Sequence, residues 1–340
     1  MKFGVNDVCL EHDPGERHPE NPDRIRAIKR GLQKRHGVEY VTGDPASEDD
    51  ARAVHEDEYV AEIRDFCADG GGSWDPDTVA VEATWRAALA SAGLSMWAAD
   101  AALDGADGRS TPFALGRPPG HHAVADDAMG FCFVNNAAVA SQHALDSYDA
   151  VERVAIFDWD VHHGNGTQDI FYERGDVFYA SIHEAGLYPG TGDIEEVGEG
   201  DGEGSTLNAP LPAGAGDVDY CHVLDDVLSP AIEAFDPDLL LVSAGFDAHR
   251  HDPISRMHVS TDGYGTLTTR VRDLAAACDA GLGFVLEGGY SLDTLSEGVG
   301  MVHEVFDGFE PEGPDEDAEP SEDVREVVAE LRDRHGLGSK

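Results

Sequence analysis

Residues 154–166 read Val154-Ala155-Ile156-Phe157-Asp158-Trp159-Asp160-Val161-His162-His163-Gly164-Asn165-Gly166. The first four are continuously apolar, and the run stops abruptly at an aspartate. A strand without polar alternation is buried on both faces, as in a parallel sheet covered by helices. Three other runs share this character: 177–182 (VFYASI), 239–243 (LLLVS) and 283–286 (GFVL). Each gives way to Asp, His, Glu or Gly. A weaker fifth run is 111–115 (TPFAL), whose Pro112 suits the first position of a strand better than its middle. Helical patterns separate these runs, at 83–103, 135–143, 219–235 and 263–280. Strand alternating with helix predicts a doubly wound α/β domain. Ligands of such sheets bind beyond the carboxyl ends of the strands, so the residues after each apolar run are where chemistry is expected.

The rest of the chain sets the context. Its 340 residues suffice for one large α/β domain, and 41% hydrophobic content excludes wholesale disorder. There are 68 acidic against 23 basic residues, for a formal net charge of −45, and only Lys2, Lys29, Lys34 and Lys340 are lysines. Such a field repels phosphate backbones and disfavours stable nucleic-acid binding. At molar salt the Debye length is about 3 Å and the self-repulsion of exposed charges is mostly screened. An acid-rich, lysine-poor surface is therefore expected of a halophile protein in a salty cytoplasm. No run of 18 apolar residues predicts a membrane span, and the N-terminus becomes charged too early for a signal peptide. Five cysteines (Cys9, Cys67, Cys132, Cys221, Cys278) without CxxC spacing argue against disulfide scaffolds and thiolate zinc sites. A cytoplasmic location follows. Residues 1–309 read as one catalytic domain, 310–323 (EPEGPDEDAEPSED) as a flexible acidic linker, and 324–340 as a helix and tail. Residues 190–205 are rich in Gly and acids and lack lysine, which suits a surface loop and not a phosphate cradle.

Alternate residues of an extended chain point the same way, which places Asp158, Asp160 and His162 on one side. An Asp-x-His pair offers a carboxylate oxygen and an imidazole nitrogen, both zinc ligands at about 2.0–2.2 Å. The competing reading is a capping Asp followed by a buried turn satisfied by His163 and Asn165. Asp247, beyond LLLVS, is the third candidate ligand. Two Asp and one His leave an open position, as a catalytic zinc requires. His249 and His251 are rivals that read more simply as loop histidines. Beyond TPFAL comes Gly116-Arg117-Pro118-Pro119-Gly120-His121-His122. Tandem histidines suit general acid/base work, with Asp158 and Asn165 as candidates to fix their tautomers. Beyond GFVL comes Glu287-Gly288-Gly289-Tyr290, whose phenol could donate to a developing oxyanion. Aromatic segments 130–133 (GFCF) and 187–189 (LYP) read either as channel walls or as ordinary core.

Together these segments resemble the histone deacetylase superfamily, which includes acetoin-utilisation proteins and acetylpolyamine amidohydrolases. The resemblance runs over about residues 10–305, through HPENPDR, RPPGHH, GFCFVNNAAVA, DWDVHHGNGT, SIHEAGLYPGTGD, SAGFDAHRHDP and EGGY. The forms are closer to class II than to class I. It implies an arginase/deacetylase-like three-layer α/β sandwich with an eight-stranded parallel sheet. It implies one catalytic Zn²⁺ held by Asp160, His162 and Asp247. The tandem pair His121 and His122 would be backed by Asp158 and by Asn165, where class I enzymes carry Asp. Tyr290 would polarise the amide carbonyl, and Phe131 and Tyr188 would line an acyl-lysine tunnel. Gly130 would offer its carbonyl to the amide N–H, and Gly288 and Gly289 would shape the floor. Structural K⁺ is implied near Asp158, Asp160, His162, Ser181 and Ile182, with a second site along Phe171, Arg174 and Val177. The implied reaction is hydrolysis of N6-acetyl-lysine in proteins to acetate and lysine. Alternatives are an amidohydrolase of acetylpolyamines or other small acetylated amines, and a weakly active acyl-lysine binder. Polyamine-preferring members carry a rim carboxylate after the Asp-Pro that follows the third ligand. Here Ile254 stands there, which favours acetyl-lysine, although Glu11, Asp13 and Glu16 could supply cation contacts.

Overall fold

The apolar runs become inner strands of one parallel sheet. The computed structural model describes residues 1–15, 17–315 and 317–338, so Glu16 lies outside the described residues. The strands are β1 (Lys2–Val5), β2 (Glu39–Thr42), β3 (Gly71–Ser73), β4 (Val79–Val81), β5 (Pro112–Ala114), β6 (Val154–Asp158), β7 (Val177–Glu184), β8 (Thr206–Leu211), β9 (Leu239–Ala244) and β10 (Gly281–Leu286). Eight of them form a sheet in the order β2-β1-β5-β10-β9-β6-β7-β8, every pair parallel. The small β3–β4 hairpin stands apart. β5, β6, β7 and β9 are buried at every residue. Pro112 is the first residue of β5, where its missing N–H is tolerated.

The helices are α1 (Asp23–Leu32), α2 (Glu48–Arg52), α3 (Asp57–Ala68), α4 (Thr84–Leu103), α5 (Asn136–Ser147), α6 (Asn165–Phe171), α7 (Asp217–Val223), α8 (Ser229–Phe235), α9 (Thr261–Ala277), α10 (Leu292–Phe306) and α11 (Glu322–Arg334). They cover both faces of the sheet. Along β6, Ala155 and Phe157 join one apolar cluster, while Val154 and Ile156 join another. β9 splits the same way, with Leu240 and Val242 on one side and Leu239 and Leu241 on the other. This is the period-2 alternation of a strand buried on both faces. α1, α7, α8, α9, α10 and α11 contribute to the first cluster, and α3, α4, α5 and α6 to the second. The result is the three-layer α/β sandwich implied above.

Three differences from the sequence reading have physical causes. The helix expected over 219–235 is instead α7, a π-helical segment Leu224–Leu228, and α8. Pro230 stands in the first turn of α8 and has no N–H to donate backwards, so the preceding turn is wider. α11 begins two residues before 324 because the Ser321 side chain caps it by accepting from the Val324 N–H. β1, β2 and β8 escaped notice: β2 is a largely exposed edge strand, and β8, at the other edge, contains Asn208 and Pro210. Residues 190–205 form a loop with one 3₁₀ turn, Gly200–Gly202. Among the described residues, no helix is long and apolar enough to cross a membrane.

Candidate active site

β5, β10, β9 and β6 are neighbours in the sheet, so their carboxyl ends deliver four chemical segments to one place. The segment after β6 turns instead of staying extended. The Asp158 side chain accepts from the Asp160 N–H at 3.0 Å, and the Asp160 side chain accepts from the His162 N–H at 2.9 Å. These side-chain turns, and not strand alternation, bring Asp160 and His162 together. Oδ1 of Asp160 lies 3.0 Å, and Oδ2 of Asp247 3.3 Å, from His162 Nδ1. One ligand atom from each residue falls within a 4.8 Å group. Both aspartates are fully buried.

The donor set fits a cation. Among the described residues, Oδ2 of Asp247 is buried without a well-aligned hydrogen bond, while its Oδ1 accepts from the Val161 N–H at 2.9 Å. Burial, reinforced by the charge of Asp160, pushes the Asp247 carboxyl up to about 6. Burial would lower the His162 pKa, but Asp160 and Asp247 outweigh it and hold it at about 10. Two carboxylates thus draw positive charge onto one imidazole, and a Zn²⁺ ligated by O, N and O answers the same demand. The backbone leaves this space free. A Cβ on Gly288 would stand 2.2 Å from Asp247 Oδ2 and 2.5 Å from Asp160 Oδ2. Without one, the Gly288 N–H donates to Asp160 Oδ2 at 2.8 Å.

The tandem histidines stand beside this group. His121 Nδ1 lies 3.0 Å from Asp158 Oδ2, and His122 Nδ1 lies 2.8 Å from Asn165 Oδ1. Their environments separate them. Burial would lower His121, but Asp160 and Asp158 hold it at about 10. Burial, then the charges of His121 and His162, hold His122 well below the usual imidazole range. His122 is therefore the neutral member of the pair near neutral pH. Its ring lies 5.8 Å from the His162 ring and 5.1 Å, edge-on, from the Tyr188 ring. Phe131 meets Tyr290 edge-on at 5.8 Å and His18 at 4.7 Å. Gly130 has φ +56°, and a Cβ there would fall 2.4 Å from His122. Its carbonyl also accepts from the Cys132 thiol at 3.3 Å. Beside Phe131 opens a cavity of about 710 Å³ lined also by Pro14, Arg17, His18, Pro76 and Asp77.

Other sequence candidates are placed less centrally. His163 is a satisfied buried histidine, held between Thr191 and Gln168. His249 sits against Thr261, and His251 is exposed. Ile254 is half-buried. Glu11 pairs with Arg86 at 2.8 Å, and Asp13 accepts from the Gly15 N–H. Ser181 pairs in register with Asp158 across β6 and β7, next to Ile182. The Arg174 guanidinium lies 5.3 Å over the Phe171 ring, in the turn before Val177.

Two groups went unread in the sequence. Glu287 is fully buried, and its Oε2 accepts the N–H groups of Gly120 (2.7 Å) and His121 (3.2 Å), pinning the tandem-histidine loop to β10. Glu20, also fully buried, is forked by Arg117 at 2.7 and 2.6 Å and reached by Arg24 at 3.3 Å and His12 at 3.3 Å. Arg24 then donates to the carbonyls of Glu287 and Gly289, and its guanidinium lies 5.0 Å over the Tyr290 ring. Both acids lie inside the quoted motifs, which was the only signal of their importance.

The profile of the histone deacetylase domain matches residues 18–306. Histone deacetylase 10, chloroplastic, of Oryza sativa subsp. japonica is 40% identical, covering 95% of this chain and 78% of its own. The histone deacetylase-like amidohydrolase of Pseudomonas aeruginosa is 41% identical over 85% of this chain and 81% of its own. A probable deacetylase of Methanothermobacter thermautotrophicus is 41% identical over 94% of both chains. Among solved structures, the HDA15 HD domain matches with a TM-score of 0.89 and 36% identity, over 98% of this chain and 93% of that one.

Proposed function

The chain belongs to the histone deacetylase family, whose members here are named as deacetylases and amidohydrolases, and from that premise we propose a zinc-dependent hydrolase of N6-acetyl-lysine in proteins, releasing acetate and lysine. The observation that carries the reading is the arrangement of a neutral His122, backed by Asn165, beside the Asp160–His162–Asp247 group.

Asp160, His162 and Asp247 would hold the zinc ion, which when bound supplies a Lewis acid that polarises the amide carbonyl and acidifies the attacking water. His122 takes the proton of that water as its oxygen bonds to the carbonyl carbon, and the Asn165 carbonyl holds the imidazole tautomer that leaves Nε2 free to accept it. Asp158 and Asp160 keep His121 cationic beside it, which stabilises negative charge at the centre. Tyr290 keeps its proton, since burial raises its pKa well above the usual value, and donates to the carbonyl oxygen as charge develops there. His122 returns its proton to the amine nitrogen as the C–N bond breaks. Phe131 and Tyr188 wall the acyl-lysine stem, and Gly130 leaves room for it beside His122.

The same proposal assigns structural K⁺ to the oxygens around Asp158, Asp160, His162, Ser181 and Ile182, and to the turn through Phe171, Arg174 and Val177. Its fit rests on the buried Asp158 carboxylate and Ser181 hydroxyl paired across adjacent strands. The acid-rich, lysine-poor composition supports the reading of a halophile protein working in a salty cytoplasm.

A second reading, an acetylpolyamine amidohydrolase, is favoured by Asp75 and Asp77, rim carboxylates whose charges bear on the Tyr188 phenol. The test is turnover of an acetyl-lysine peptide and of N-acetylputrescine by zinc-loaded protein in roughly molar KCl, where surface charges are screened. Tyr290→Phe should lower kcat by about 10²–10³-fold and His122→Ala by about 10²–10⁴-fold, with zinc content unchanged. Near-wild-type activity in either variant contradicts the assigned roles. Faster turnover of acetylputrescine installs the second reading. No turnover of either substrate by zinc-bound protein leaves an acyl-lysine binder.

A further inference from the structure

We propose that Asp252 is a positioning residue for Tyr290, joining the turn after Asp247 to the group that donates to the oxyanion. The inference rests on the role given to Tyr290 above. Asp252 lies in the turn that follows Asp247 and is 6% exposed. Its hydrogen bonds go to backbone. Oδ2 accepts from the N–H groups of Tyr290 at 2.7 Å and Ser291 at 2.9 Å, and Oδ1 accepts from that of Ile254 at 3.2 Å.

Tyr290 needs such a clamp. It follows Gly288 and Gly289, the latter at φ +116°, so the chain leading into it carries no side chain to lock it. Among the described residues, the Tyr290 side chain itself is held by ring contacts, with Arg24 at 5.0 Å and Phe131 at 5.8 Å. Its direction is therefore set by the main chain. Arg24 grips that main chain on one side, through the Gly289 carbonyl at 2.8 Å, and Asp252 grips it on the other through two successive N–H groups. The second belongs to Ser291, where α10 begins and unpaired N–H groups favour an anion. Charge-assisted bonds of this kind are about twice as strong as neutral ones. The other oxygen of the same carboxylate holds the Ile254 N–H, which fixes the carboxylate in the turn after Asp247.

The variants are Asp252→Ala, Asp252→Asn, Tyr290→Phe and the Asp252→Ala/Tyr290→Phe pair. Asp252→Ala should lower kcat by about 10²-fold, the loss expected for a misplacement near 1 Å. KM should stay within about threefold, because binding of the ground state is untouched. Asp252→Asn keeps one oxygen for the Tyr290 and Ser291 pair and should lose less. The double variant should match Tyr290→Phe within about twofold, since the clamp acts only through the phenol. If Asp252→Ala fails to fold, Asp252→Asn runs the same cycle. A second readout is ¹⁹F NMR of 3-fluorotyrosine-labelled protein, with the Tyr290 resonance assigned by Tyr290→Phe. It should shift or broaden in the Asp252 variants, while zinc affinity stays constant. Additive losses, a parallel fall in zinc affinity, or an unmoved resonance would each overturn the proposal. If wild-type protein turns over neither substrate, the functional reading fails, and the fluorine resonance alone decides whether Asp252 positions Tyr290.

Discussion

Replacing Glu20 with Ala tests whether the buried ion network beneath the site supports the fold. Glu20 balances Arg117, which forks it at 2.7 and 2.6 Å, and Arg24 at 3.3 Å, all three with fully buried side chains. Arg117 also donates to the carbonyls of Cys9 and His12, so it cannot swing out to water without breaking those bonds. Removing the acid leaves buried positive charge without its partner, which costs about 3–5 kcal/mol. An unfolding entropy of about 2.1 cal/mol/K per residue gives about 0.7 kcal/mol/K for 340 residues, so Tm should fall by about 4–7 °C. Differential scanning calorimetry at pH 7 measures it, at low salt and again in molar KCl. Exposed pairs weaken in salt, whereas a buried one is screened much less, so the gap should persist. The pH dependence has a definite sign. Burial alone would raise the Glu20 pKa, but Arg117 and His12 hold it well below the usual range. A depressed carboxyl stabilises the fold above its unfolded value of about 4.3, and that contribution is lost as pH falls through the folded value. Wild type should therefore approach the variant at strongly acidic pH. A Tm loss under about 1 °C, or a gap that closes in KCl, refutes the reasoning.

Two further outcomes follow from the geometry. Gly288→Ala drives a methyl group against Asp247 and Asp160, so zinc affinity in a chelator competition should drop by at least about 10–100-fold; unchanged affinity would remove the metal from this triad. With a formal charge of −45, Tm should rise between about 0.1 M and 1 M KCl as the Debye length shrinks from about 10 to 3 Å, and a flat or falling curve would show that self-repulsion is not what limits stability.

The parts of the fold that were readable are those whose residues answer only to burial. β6, β7, β9 and β10 are apolar runs because both faces are covered, and period and composition then carry the message. β2 is a largely exposed edge strand that keeps Glu39 and Thr42, while β8, at the other edge, is mostly buried but carries Asn208, which donates to the Gln168 side chain, and Pro210, so both read as loop. In the site, extended-chain geometry already puts Asp160 and His162 on one side, whereas two side-chain turns actually bring them together. That Asp158 and Asn165 stand behind the tandem histidines is legible because a ring at a strand end needs something behind it, whereas which of them backs which ring follows only from the family resemblance. The supporting charges are not legible. Glu20 meets Arg117 across 97 residues, Glu287 meets Gly120 across 167, and Arg24 meets Gly289 across 265. In a chain with 68 acidic residues, nothing local distinguishes an acid that will be sealed in the core from one that will be solvated.

β10 is among the last strands in the chain, yet its slot lies between β5 and β9 in the middle of the sheet. Parallel pairings over such sequence distances form slowly. Until that slot is filled, the Gly120 and His121 N–H groups lack the Glu287 carboxylate, Asp160 lacks the Gly288 N–H, and Tyr290 has no place to stand. A half-assembled sheet is thus not a slow or promiscuous version of the finished one. The strand in the middle of the sheet is also the one that carries Glu287, Gly288 and Tyr290 to its edge, so the centre of the core and the site are completed by the same segment.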